Sequence, residues 1–74
     1  MDAKEVRDTR DAVHEARDAY YGHGTAAERW ERGGLFFEAK EYANAARVLA
    51  TLTAEVPEQL APRLLLARAY YHSA

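Results

Sequence analysis

The chain has 74 residues and a formal net charge of −2, with acids and bases interspersed. That is one small domain without the one-signed basic stripe that nucleic acid requires. It has no cysteine, so no disulfide and no thiolate metal site, which suits a cytoplasmic protein. No apolar stretch approaches the roughly 20 residues that span a bilayer, and the opening MDAKEVRDTRD is too polar for a signal peptide.

Gly22 and Gly24 break the pattern once, and Pro57 and Pro62 break it again. No strand-length stretch alternates cleanly between apolar and polar residues. The sequence therefore predicts an all-α chain of about four helices: 3–21, 26–39, 42–55 and 60–72. The first is rich in charge, with Lys4–Asp8, Arg7–Asp11 and His14–Asp18 at i,i+4 spacing. Its large apolar residues, Val6, Val13 and Tyr20, recur every seven positions, a narrow stripe of coiled-coil type. Such a helix needs a surface to pack on. Gly22-His23-Gly24 reads as a turn in which Gly22 or Gly24 takes the left-handed cap position. The division is 1–24, a charged arm serving as cap or oligomerisation element, and 25–74, a helical domain.

The remaining segments repeat. A shift of 34 residues places Ala27 on Ala61, Arg29 on Arg63, Trp30 on Leu64, Gly33 on Ala67, Phe36 on Tyr70 and Phe37 on Tyr71. Small residues match small and aromatics match aromatics, the mark of a helix–turn–helix repeat. Gly33 and Ala67 allow close helix approach. Phe36, Tyr42, Ala45, Leu49 and Leu52 form the dry seam of an antiparallel pair. Pro62 falls in a first helical turn, where a missing N–H costs little.

On these residues, 26–72 resembles a tetratricopeptide repeat (TPR): one full repeat plus the first helix of a second. Gly33 and Phe36 fill the small and aromatic places of a first helix. Tyr42, Ala45 and Leu49 fill those of a second helix, and Pro57 closes the unit. Leu66, Ala67 and Tyr70 then begin the next. The chain departs from the pattern at Trp30, displaced by one, at Arg32 in place of Leu, and at Lys40 in place of the turn glycine. That last change implies a differently shaped turn. The resemblance implies a helix–turn–helix array of the TPR-like α-α superhelix type. The arm does not complete an earlier repeat, because the core places of a second helix would fall on Asp8, Asp11, Glu15 and Asp18.

No chemistry is assembled by the sequence. His14, His23 and His72 lie in three separate segments; His14, beside Glu15 and with Asp18 one turn on, offers at most a two-ligand surface site. The only serine is Ser73, there is no thiol, and no nucleophile–base pair can be built. The expectation is a protein that is not an enzyme and carries no cofactor or metal. The resemblance instead implies a groove lined by first helices, at Trp30, Gly34, Phe37 and Glu38 and then Leu64, Arg68, Tyr71 and His72. Trp, Tyr and Arg are the side chains most common at binding hot spots. The Lys and Asn of a carboxylate clamp are missing, since Trp30 and Gly34 stand there, so an apolar or amphipathic helical partner is expected. The alternative reading packs Trp30 and Phe37 against the first helix.

The run APRLLLARAYYHSA carries three consecutive leucines that one helix face cannot hold. Two explanations stand: a piece of a longer TPR scaffold, or a homodimer covering the apolar surface. Self-association would use Val6, Val13 and Tyr20 of the arm, or Leu65, Leu66 and Tyr70. The excess of Arg over Lys, with abundant Ala, points to a GC-rich bacterial genome.

Overall fold

The computed structural model describes residues 20–74. Three helices follow one another: α1, Ala26–Glu38; α2, Tyr42–Glu55; and α3, Leu60–Ser73. Each lies within one residue of its expected bounds at both ends. Tyr20, Tyr21 and Gly22 are also helical, and the rest of the expected 3–21 helix lies outside the described residues. Among the described residues there is no strand, and the fold is all-α.

The start of α1 is set by local chemistry. Gly24 takes a φ of +92°, so it and not Gly22 is the left-handed residue of the turn. Thr25 then caps the helix. Its hydroxyl accepts from the Glu28 amide at 3.1 Å, and its own amide donates to the Glu28 carboxylate at 3.2 Å. This is a reciprocal capping box, which satisfies two backbone donors at once. The Thr25 backbone amide first, and its hydroxyl second, hold the Glu28 carboxyl below the usual glutamate range. A lowered folded-state pKa stabilises above the unfolded value of about 4.3 and is lost as pH falls through the folded value. The Glu28 carboxyl, followed by NMR, is thus expected to titrate below an ordinary glutamate. A midpoint at or above the ordinary range would show that the box does not form.

The end of α1 is equally specific. The Glu41 amide reaches back to the Phe36 carbonyl at 2.9 Å and the Lys40 amide to that of Phe37 at 3.0 Å. This is the Schellman pattern, which places its C′ residue in the left-handed region. That residue is Lys40, with φ +63°. The turn adopts the conformation a glycine prefers although a lysine occupies it. A side chain there costs about 1–2 kcal/mol that glycine avoids. Lys40→Gly should therefore stabilise the fold by about 1 kcal/mol, read as a raised urea midpoint with an unchanged slope. A lowered midpoint would mean that the lysine stem supplies packing worth more than the strain.

The central helix, α2, has two buried sides. Ala45, Ala46, Val48, Leu49 and Leu52 are all buried. On one side α1 runs antiparallel to it. Arg29 meets Thr51 and Glu55, Gly33 faces Leu49, and Phe37 stacks edge-on to Tyr42 at 5.2 Å. On the other side α3 also runs antiparallel, with Pro62 beside Leu52 and His72 stacked on Tyr42 at 4.8 Å. So α1 and α3 run parallel to each other, flanking α2. The expected seam residues Ala45, Leu49 and Leu52 are buried, while Phe36 and Tyr42 are half-buried.

The three leucines of α3 divide their roles. Leu65 and Leu66 are half-buried and pack against the cluster of Ala45, Ala46, Leu49 and Ala69. Leu64 is exposed on the other side. Residues 20–22 rest on α2. The Tyr21 hydroxyl donates to Asn44 Oδ1 at 3.1 Å and accepts from Arg47 at 3.2 Å. The Arg47 guanidinium also lies 5.3 Å from the Tyr21 ring centre.

Candidate functional site

The parallel placement of α1 and α3 leaves an open groove between them. Its volume is about 720 Å³. Trp30 forms the α1 wall. Leu64, Leu65, Arg68, Tyr71 and His72 form the α3 wall, with Ala61 and Ala67 giving it depth. A smaller cleft of about 350 Å³ continues it past Trp30 and Ala61 toward Leu52 and Pro62. Residues 61 to 72 cover about 16 Å along a helix axis, so the groove accommodates about three turns of a bound helix.

Five expected partner-binding residues, Trp30, Leu64, Arg68, Tyr71 and His72, line this groove. Trp30 is 40% exposed, Leu64 55% and Tyr71 80%. Large apolar side chains grouped at this exposure are the usual mark of an interaction surface. Phe37 stands at one end. It is half-buried and carries the Arg68 guanidinium 5.0 Å from its ring centre. His72 lies edge-on to Phe37 at 5.8 Å and to Tyr71 at 5.5 Å. Arg68 and His72 are thus held by aromatic rings, which limits their rotamer freedom before any partner arrives. Glu38 is exposed and does not line the groove. At Gly34 an added Cβ would meet nothing within 4 Å, so that part of the α1 surface is open.

Ala61, Leu65 and Ala67 line the groove although they were not expected to. The signal was present: 61, 64, 65, 68, 71 and 72 follow one helical stripe. Leu65 was assigned to self-association, and it both packs on the core and borders the groove. Of the other self-association residues, Tyr70 is exposed and outside the groove, and Leu66 is half-buried. Tyr20 is exposed and packs edge-on to Tyr21 at 4.9 Å. Val6, Val13 and the His14–Glu15–Asp18 set lie outside the described residues.

Among the described residues no three His, Cys, Asp or Glu side chains gather as metal ligands would. No helix among them is long and apolar enough to cross a membrane. His23 sits in the turn before α1, its Nδ1 against the Tyr20 carbonyl, while Arg32 donates to the His23 carbonyl at 3.0 Å. That arrangement ties the turn to α1, and His23 is not among the groove-lining residues.

Comparison with protein-family models, with curated proteins and with solved structures gives no significant match.

Proposed function

We propose that the chain is a non-enzymatic protein–protein interaction module, cytoplasmic and of TPR-like construction, whose α1–α3 groove binds an apolar or amphipathic helix. In this reading α1 and α2 form one repeat, and α3 is the first helix of a second. The observation that carries it is the meeting of Trp30 and Leu64, 34 residues apart, across one open apolar groove. Parallel first helices with an aromatic anchor between them supply what helix-in-groove recognition needs: a dry trough with a few fixed contacts.

A dye-labelled 14-residue peptide with a leucine stripe and glutamine flanks provides the probe. Its anisotropy should rise on titration with the protein. Trp30→Ala should weaken binding about 30-fold or more, the effect of losing a hot spot worth about 2 kcal/mol. Helicity by circular dichroism should be nearly unchanged, since Trp30 is partly exposed. Loss of helicity in Trp30→Ala would instead make Trp30 a core residue and remove the site.

A homodimer is the second reading, supported by the exposure of Tyr20 and Tyr70. It requires an unfolding midpoint that rises with protein concentration. A midpoint constant over a hundredfold dilution would exclude it.

A further inference from the structure

The groove is electrically one-sided. Among the described residues that line it, Arg68 and His72 are the ones that can carry a positive charge, and none has a carboxylate. Across its whole length α3 contains Arg63, Arg68 and His72 and not one acid. Arg68 forms no ion pair among the described residues, where the Arg29–Glu55 pair stands alone. Its guanidinium instead lies over the Phe37 ring at the groove end. Arg68 is exposed, and its guanidinium, placed over the Phe37 ring beside the apolar trough, is within reach of a carboxylate on a helix seated there.

The acids of α1, Glu28, Glu31 and Glu38, lie outside the lining. A second copy seated through α3 would bring arginines toward arginines. On these grounds we infer that the groove's occupant is an acidic amphipathic helix of another protein: an apolar stripe on Trp30, Leu64 and Tyr71, with a flanking Glu or Asp on Arg68. This rests on the groove being a binding site, and it names the chemistry of what binds there.

Three dye-labelled 14-residue peptides with the same leucine stripe test it, with flanks of Glu, Gln or Lys. They are titrated against the full chain at fixed pH and about 0.15 M salt, where charges more than about 8 Å apart are screened. The Glu peptide should bind roughly tenfold tighter than the Lys peptide, with the gap narrowing as salt rises. Arg68→Glu should reverse that order. Arg63→Glu makes the same change in net charge outside the groove and should leave the order unchanged. Equal binding of all three peptides, or equal effects of Arg68→Glu and Arg63→Glu, would overturn the acidic preference while Trp30→Ala still showed the groove to be used. No Trp30-dependent binding of any peptide would remove the groove reading and this inference together. A dimer by light scattering that dissociates with Trp30→Ala would give the groove to a second copy and overturn it as well.

Discussion

Gly33→Val should destabilise the protein by about 3 kcal/mol, whereas Gly34→Ala, one residue away, should stabilise it by about 1 kcal/mol. Both glycines sit inside α1, where replacing glycine by alanine is worth about 1 kcal/mol when nothing else changes. At Gly34 nothing else changes, because an added Cβ meets no atom within 4 Å. At Gly33 the Cβ would lie 2.8 Å from Leu49 Cδ2 and 2.9 Å from Leu49 Cγ. Leu49 is fully buried and cannot swing into solvent. Either α1 lifts from α2 or Leu49 leaves its rotamer, and overpacking of this kind costs about 1–3 kcal/mol. Valine adds two further methyl groups at the tightest point and sits at the top of that range. A chain of this size is stable by about 4–11 kcal/mol, so the loss is a large share of the whole. Urea denaturation of both variants decides the matter. If Gly33→Val proved as harmless as Gly34→Ala, the close approach of α1 and α2 would be wrong.

The second large effect concerns Arg29. Its side chain is 7% exposed and pairs with Glu55, whose own is 55% exposed. Its Nε has no hydrogen-bond partner among the described residues, and its contact with Thr51 Oγ1 is long at 3.5 Å. Glu55 is therefore its main compensation. Breaking a fully buried pair from one side costs about 3–5 kcal/mol. Here water can enter where the half-exposed Glu55 side chain stood, so Glu55→Ala should cost about 2 kcal/mol. Arg29→Met removes the cation and keeps an unbranched stem against α2, so it should stay within about 1 kcal/mol of the parent. The double variant should then be more stable than Glu55→Ala alone. A Glu55→Ala midpoint equal to the parent's would mean that the guanidinium is hydrated without its carboxylate.

Most of the fold was legible because its punctuation is chemical. Gly24, Pro57 and Pro62 bound the helices, and the 34-residue shift identified α1 and α3 as matching elements. Gly33 was readable as a close contact because a glycine that costs helix stability needs a packing reason. Lys40 was misjudged for a related cause. The missing glycine suggested a different turn, yet the Schellman hydrogen bonds hold a lysine in the left-handed region. The Thr25-Ala-Ala-Glu28 spacing is that of a capping box, a signal the sequence carries in addition to the glycines and prolines. Arg29 and Arg63 hold matching places in the 34-residue shift, yet their surroundings differ. Arg63 is exposed, whereas Arg29 is buried against α2, where it meets Thr51 and Glu55. Burial of one member of a matched pair depends on a neighbouring helix, which a residue type does not record. In the groove, Trp30, Leu64 and Tyr71 stand where the TPR resemblance implied lining residues. The placement of Arg68 on Phe37, and the lack of a lining acid among the described residues, required the helices to be set side by side.

Leu49 acts as a gauge. It fills the notch left by Gly33 on α1 and shares one buried cluster with Ala69 on α3. The distance between the two outer helices is therefore set from underneath by a side chain that no partner can touch. For the binding proposed above, substitutions hidden in the foundation of the trough should then alter affinity, and a survey confined to surface positions would miss them.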